Sequence, residues 1–344
     1  MLNGELGICV VGSGRAGMIH AVNFAKNVPG ARLVALADPV RETAQAAARQ
    51  LGIDTCFSSH REALDDPRVD ALVVVTPTKF HRDIVVEAAG AGRHILCEKP
   101  MAMTEAECDV MIEATTRNQV VLQIGFMRRF DAGFMRAKAI VDSGEIGEVV
   151  MVRSNTRGPS IPQPWMYDIS KSNGPLAEVN SHDIDAMRWF SGGEFTSIYA
   201  IGGNYRCPDA RTDFPEFYDN VVATAAFDNG VQGMLDGAQG VGYAYDARME
   251  ILGVKGCVFI GRLRDDAVLT CTAGNHSGVE PLVESWRGLF SEAYLNEDRA
   301  FVECVRTRGK PRVGGHDGKM AVKVVAAGNR SIRDKRIVGL AEVL

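Results

Sequence analysis

Val10-Val11-Gly12-Ser13-Gly14-Arg15-Ala16-Gly17-Met18-Ile19-His20-Ala21 is the stretch on which the fold of this chain turns. Leu6 to Val11 forms a short apolar run leading into it, and Arg15 to Asn27 carries Ile19, Val22 and Phe24 at helical spacing. The glycines therefore stand where a strand ends and a helix begins. In that place G-x-G-x-x-G serves a tight turn, the close approach of a pyrophosphate and the packing of helix on strand. The helix N-terminus adds free N–H groups and a dipole that favours anions. With 36 glycines in 344 residues the pattern alone is weak, and its position carries the reading.

Outward from this loop, Arg32 to Ala37 is a second strand-like run. Ala71 to Val75 is the strongest, apolar on both faces as a central parallel strand covered by helices must be. His94 to Cys97 and Val120 to Ile124 repeat the theme, with helical stretches at Lys79 to Ala91 and Thr104 to Asn118. This α/β alternation predicts a doubly wound parallel sheet of the Rossmann kind over residues 1–125. Beyond Gly125 the pattern changes. A helix at Asp131 to Ser143 is followed by strand-like runs at Val149 to Asn155, Ser197 to Gly202, Val221 to Phe227, Gly230 to Asp236, Arg248 to Gly253 and Gly256 to Ile260. Asn229-Gly230 is a hairpin turn by composition, and Trp286 to Arg308 and Gly318 to Arg333 read as helices. Residues 126–344 are thus expected to form a C-terminal α+β domain with a large, mostly antiparallel open sheet, serving substrate binding and oligomerisation. The broad face of such a sheet is ordinarily buried against another copy.

Composition narrows the function. Hydrophobic residues at 46% and charged residues at 24% are those of a globular protein. The longest stretch without Asp, Glu, Lys or Arg, Ala267 to Val279, is shorter than the roughly 20 residues that span a bilayer. The first residues carry no basic segment of a signal peptide, so a cytoplasmic protein is expected. A net charge of -5 provides no footprint for DNA or RNA. The eight cysteines lack a C-x-x-C pair, which speaks for reduced thiols rather than a disulfide framework or a zinc cluster.

Asp38 closes the second strand, where an acidic side chain accepts hydrogen bonds from both hydroxyls of an adenosine ribose and repels the 2′-phosphate of NADP. The expected cofactor is NAD, although Arg41 offsets part of that repulsion, and Asp38-Pro39 also suits a helix N-cap. Gly12, Ser13, Gly14, Arg15 and Ala16 are the expected phosphate loop, with Thr76, Pro77, His81 and Glu98 also on the cofactor side. Glu98-Lys99-Pro100 ends the strand at His94 to Cys97, at the sheet edge where ligands bind; a solvated Glu98–Lys99 ion pair is the plain alternative. Further on, Glu178, His182 and Asp185 stand at i, i+4 and i+7, on one face if the segment is one helix. An imidazole flanked by carboxylates suits a general base. A capped helix start with a buried His explains the same residues, and a metal site is not expected because no further His or Cys lies near. In the Arg157 to Lys171 loop, Trp165, Tyr167 and Asp168 are candidates for shaping a substrate site, as is Asn180 beyond it.

Taken together, Gly12 to Ala21, Asp38, Thr76-Pro77, Glu98-Lys99-Pro100, Gly125-Phe126-Met127-Arg128-Arg129-Phe130-Asp131 and Glu178 to Asp185 resemble the glucose-fructose oxidoreductase/inositol dehydrogenase (Gfo/Idh/MocA) family over nearly the whole chain. The likeness is strongest to its inositol 2-dehydrogenases. The resemblance implies hydride transfer between NAD and a secondary ring hydroxyl of a cyclic polyol or sugar, with myo- or scyllo-inositol first and a hexose or glycoside second. It puts the catalytic lysine at Lys99, binding the developing alkoxide, and the general base at His182. It places Arg129 in the polyol pocket and implies a homodimer or homotetramer. Glu178 stands where many relatives have Asp, a methylene shorter, so the pocket differs. Two other readings exist within the family: an NAD-dependent glycosidase whose redox cycle closes internally, and a dinucleotide-sensing protein without catalysis. The latter tend to lack the Lys99 and His182 pair.

Overall fold

The computed structural model describes residues 4–265, 270–271, 278–279 and 281–343. Most of the Ala267 to Val279 stretch and the first three residues lie outside the described residues. The chain forms two compact units, one of Met1–Asp131 with Glu292–Val322, the other of Ala132–Ser291 with Lys323–Leu344.

In the first unit the elements run β1 (Leu6–Val11), α1 (Arg15–Lys26), β2 (Ala31–Ala37), α2 (Arg41–Leu51), β3 (Cys56–Phe57), α3 (His60–Asp65), β4 (Ala71–Val74), α4 (His81–Gly90), β5 (His94–Glu98), α5 (Glu105–Arg117) and β6 (Leu122–Gly125). The strands form one six-stranded sheet in the order β3-β2-β1-β4-β5-β6, with every pair parallel. This is the doubly wound Rossmann order, which opens a ligand crevice beyond the carboxyl ends of the strands. Ala71, Leu72, Val73 and Val74 are all fully buried, as their unbroken apolar run predicts.

The second unit contains α6 (Ala132–Asp142), β7 (Val149–Gly158), α7 (Ile169–Ser172), α8 (Gly174–Glu178), α9 (Ser181–Ser191), β8 (Phe195–Gly203), α10 (Ala210–Asp213), β9 (Asn220–Phe227), β10 (Gln232–Gln239), β11 (Asp246–Gly253), β12 (Cys257–Ile260), the short pair β13 (Thr270–Cys271) and β14 (Gly278–Val279), and α11 (Trp286–Leu289). Then come α12 (Ser291–Thr307), α13 (Gly315–Asp334) and β15 (Val338–Gly339). The seven-stranded sheet β12-β11-β7-β10-β9-β8-β15 is antiparallel except at β7–β10, where the strands run parallel. The β9–β10 hairpin turns at Asn229-Gly230, with Gly230 at φ +85° as the turn demands.

Two features depart from the sequence expectation. The helix expected from Trp286 to Arg308 is split at Phe290, and most of its second part, with the chain to Val322, groups with the first unit. The cause is apolar: Phe301, Val302 and Val305 join Phe24, Val28 and Leu33 in one buried core. Each such side chain contributes about 1.5–3 kcal/mol when fully buried, which outweighs adjacency in sequence. The other departure is at α8 and α9, considered with the site.

Candidate active site

The phosphate loop divides its labour among three glycines. Gly12 has φ +101°, and a Cβ there would lie 2.6 Å from the Val75 carbonyl oxygen. At Gly17 a Cβ would come within 1.9 Å of the Gly12 carbonyl oxygen, so this glycine lets α1 pack down on the loop. Gly14 has open space at its Cβ position and is exposed beside Arg15. Only it leaves room for a ligand. The hydroxyls of Ser13 and Thr76 are buried without a hydrogen-bond partner, the state expected of groups that await a polar ligand. These residues fit a dinucleotide.

Asp38 ties the loop to β2: its Oδ2 accepts the Ser13 N–H at 2.8 Å and its Oδ1 the Val40 N–H at 2.9 Å. The residue capping α2 is Val40, so Asp38 is not that helix's N-cap. Its half-buried carboxylate keeps lone pairs for the ribose hydroxyls.

At the end of β5, Glu98 turns its carboxylate inward. Oε1 meets His20 Nε2 at 3.1 Å, and Oε2 accepts the Lys99 N–H at 3.0 Å. The alternative of Glu98 as a solvated partner for the ammonium is not what forms, since Glu98 is 5% exposed. Lys99, half-buried, follows at the sheet edge. His81 sits differently from its expected place among cofactor-facing residues. It is buried on α4 with Nδ1 at 2.9 Å from the Pro100 carbonyl and Nε2 at 2.7 Å from that of Thr76, and as a neutral ring it donates to one of the two. Burial draws its pKa down and the two carbonyls draw it up, the net being below the ordinary histidine value. Arg129, expected in the polyol pocket, is also buried, with Nη2 donating to Asp317 Oδ1 at 2.9 Å.

In the second unit the expectation of one helix through Glu178, His182 and Asp185 is corrected. Gly174-Pro175 starts α8, which ends at Glu178, and α9 begins only at Ser181. The break is held by Asn180, fully buried, whose Nδ2 donates to Asp183 Oδ2 at 2.8 Å and to the Asp236 carbonyl at 3.2 Å. Gly237 makes room for it, since a Cβ there would stand 2.0 Å from Asn180 Oδ1. Asn180 thus anchors β10 to α9, a role the sequence did not disclose. Asp183 does the same for β7, accepting from Ser154 Oγ at 2.5 Å and Thr156 Oγ1 at 2.9 Å. His182 stands in the first turn of α9 between these anchors, 7% exposed, with Asp185 three residues on. In the loop, Tyr167 is packed on Phe217 with its hydroxyl donating to Asp209 at 3.0 Å, and Asp168 caps α7. Trp165 is 46% exposed.

Among the described residues, His20, Glu98 and Glu297 offer ligand atoms within 4.8 Å of one another. Both His20 nitrogens already meet carboxylates, Nδ1 at 2.7 Å from Asp298 Oδ1 and Nε2 at 3.1 Å from Glu98 Oε1, so His20, Glu98 and Asp298 form a buried hydrogen-bonded charge network with Glu297 buried beside it. Sequence reasoning met His20 only as part of the loop motif and passed over Asp298 altogether.

Comparison with known proteins settles the family. Residues 6–126 match the oxidoreductase family with an NAD-binding Rossmann fold, and residues 134–259 match the GFO/IDH/MocA C-terminal domain. The chain belongs to the GFO/IDH/MocA family. It is an oxidoreductase that uses NAD. Similar proteins include the scyllo-inositol 2-dehydrogenase (NAD(+)) of Bacillus subtilis, 35% identical over 94% of this chain and 93% of that one. The myo-inositol 2-dehydrogenase of Thermotoga maritima is 34% identical over 98% and 99%. The crystal structure of scyllo-inositol dehydrogenase from Lactobacillus casei with bound NAD(H) and scyllo-inositol superposes with a TM-score of 0.89 at 27% identity, covering 98% of this chain and 99% of that one. Among the described residues no helix is long and apolar enough to cross a membrane.

Proposed function

We propose that this protein oxidises a secondary ring hydroxyl of a cyclic polyol to the ketone, with myo- or scyllo-inositol as the first candidates and a hexose or glycoside next. The observation that carries the reading is full-length similarity to inositol dehydrogenases in a chain that keeps Lys99 at the carboxyl edge of the parallel sheet and His182 in the first turn of α9. NAD, when bound, supplies the hydride acceptor, and Gly12 to Ala16, Asp38 and Thr76 are the residues that would hold it. His182 takes the hydroxyl proton, and its fixed seat beside the Asn180 and Asp183 anchors limits the reorientation this step requires. The Lys99 ammonium donates to the substrate oxygen as negative charge develops on it, and that charge is stabilised most where water is scarce. In this reading Glu178 orients His182, and Trp165 borders the substrate. Arg129 and Asn180, each buried and hydrogen-bonded within its own unit, are the further residues assigned to substrate binding in this reading.

The same reading makes the protein a homo-oligomer of the cytoplasm. The support for a second copy is the open face of the seven-stranded sheet, which offers it an apolar surface.

The test is NADH release from the purified protein with NAD and a panel of myo-, scyllo- and chiro-inositol, hexoses and simple glycosides. One polyol is expected to give NADH, with Lys99→Ala and His182→Ala each lowering turnover about 10²–10⁴-fold while NADH binding is retained. No NADH from any compound, with NAD tightly bound, would overturn the dehydrogenase reading in favour of an internally closed redox cycle or a sensor.

A further inference from the structure

One imidazole in the first unit is tied both to the carboxylate that holds the Lys99 main chain and to α12. His20 lies on α1, the helix that begins directly after Gly14 of the phosphate loop, and it is fully buried. Its Nε2 meets Glu98 Oε1 at 3.1 Å and its Nδ1 meets Asp298 Oδ1 at 2.7 Å. Asn23, one turn further along α1, donates Nδ2 to the other oxygen of Asp298 at 2.8 Å. The far oxygen of Glu98 accepts the main-chain N–H of Lys99 at 3.0 Å. Space for this carboxylate is kept by Gly125 on β6, where a Cβ would fall 2.8–3.0 Å from three atoms of the Glu98 carboxyl group. The edge of the Tyr294 system closes the other side, its ring 5.5 Å from that of His20 and perpendicular to it. One further acid faces this pocket, Glu297 next to Asp298, and it is buried.

We infer that His20 is a positioning residue for the reaction, orienting the Glu98 carboxylate so that it fixes the main chain at Lys99 relative to the phosphate-loop helix. This rests on the reading that Lys99 acts on the substrate oxygen. The physical argument is geometric. A carboxylate is planar, so holding one oxygen against the imidazole and barring rotation with the neighbouring strand determines where the other oxygen points. That oxygen takes the one N–H whose direction sets the backbone at Lys99. Water cannot substitute for the imidazole, because His20 and Asp298 are fully buried and Glu98 nearly so. Charge acts in the same sense. Burial disfavours the imidazolium, while the adjoining Asp298 and Glu98 carboxylates more than reverse this and hold the His20 pKa well above the ordinary value. A charged ring donates from both nitrogens at once, which a neutral one does not. The same ring therefore references Lys99 to α1, where the cofactor phosphates dock, and to α12, which carries Asp298.

The experiment is a double-mutant cycle on the full-length protein with NAD and whichever polyol gives NADH with the wild type. His20→Gln keeps a donor for Glu98 but no charge and no second N–H for Asp298. It is expected to lower kcat at least about tenfold, with KM and Kd for NAD changed less than about threefold. Combined with Lys99→Ala, it is expected to add less than about twofold to the loss of Lys99→Ala alone, because His20 acts through Lys99. Losses that multiply, or a His20→Gln enzyme with wild-type kcat, overturn the inference. A Lys99→Ala enzyme of full activity instead removes the reading on which it rests, an outcome visible from that single variant. Should His20→Gln not yield folded protein, Asp298→Asn carries the same cycle, since it keeps an acceptor for Nδ1 but withdraws the charge that holds the ring protonated.

Discussion

The residue scale is where the phosphate loop separates packing from binding. Gly12, Gly14 and Gly17 look equivalent in G-x-G-x-x-G, yet a methyl group meets backbone at the first and last and nothing at Gly14. Gly17→Ala is expected to cost at least about 2 kcal/mol of stability, because the obstacle is the Gly12 carbonyl and not the end of a flexible side chain. Gly14→Ala is expected to unfold within about 0.5 kcal/mol of wild type but to bind NAD about tenfold more weakly, about 1.4 kcal/mol. Urea unfolding and NADH fluorescence titration on the two variants check this, and equal stability losses would show that Gly14 also packs. The motif was legible in sequence because the turn, the strand before it and the helix after it all depend on local residues. Asp38 was legible for the same reason. His20, Asp183 and Asn180 were not, because their partners lie on other elements and a buried polar residue reveals its role only through what it meets.

At the scale of elements, the strand and helix alternation of the first 125 residues could be read from periodicity, since β4 is apolar throughout and β5 carries Ile95-Leu96-Cys97 at its centre. The two-residue β3 and the short α3 fall below what a period can reveal. The return of α12 to the first unit was hidden for a different reason. An amphipathic helix shows in sequence that it has a buried face but not which core will receive it. Here the choice is made by Phe301, Val302 and Val305 in the apolar core and by Asp298 against His20 and Asn23. Asp298→Ala strips a fully buried charge pair of one member, and such losses run to about 3–5 kcal/mol. Their pH dependence has a definite sign. The folded-state pKa of His20 is raised, so the stabilisation is complete below the unfolded histidine value near 6.5 and is lost as pH rises through the folded value. The difference in urea midpoint between wild type and Asp298→Ala is therefore expected to be larger near pH 6 than in alkaline solution. A difference that grew with pH would mean that the proton is not held on His20.

At the scale of the whole molecule, the question is what covers the open face of the seven-stranded sheet. Its strands alternate as a half-buried sheet must: along β11, Ala247, Met249 and Ile251 are buried while Arg248 and Leu252 are exposed. The exposed side is nevertheless rich in large apolar groups. Ile201 on β8 is 55% exposed, Val222 on β9 47%, Met234 on β10 42% and Phe259 on β12 76%. Register brings these side chains together: Ile201 pairs with Val222, and Tyr199 and Met234 both pair with Thr224. Tyr199, Ile201, Val222, Thr224 and Met234 line a groove of about 350 Å³ across β8, β9 and β10, while Phe259 stands apart on β12. A contiguous apolar patch of this kind is uncommon on a protein that stays monomeric, and a two-fold axis lets one patch cover its own copy. The wild type is thus expected to run as a dimer or tetramer in size-exclusion chromatography with light scattering at micromolar concentration. Ile201→Lys, at the β8 side of the groove, is expected to shift it to a smaller species, because an ammonium buried in that face without a partner costs several kcal/mol. Since Ile201 is already solvent-exposed within its own chain, the same substitution should leave the unfolding midpoint of the dissociated protein within about 0.5 kcal/mol of wild type. A wild-type monomer, or an Ile201→Lys protein of unchanged mass, would show that this face is not where copies meet.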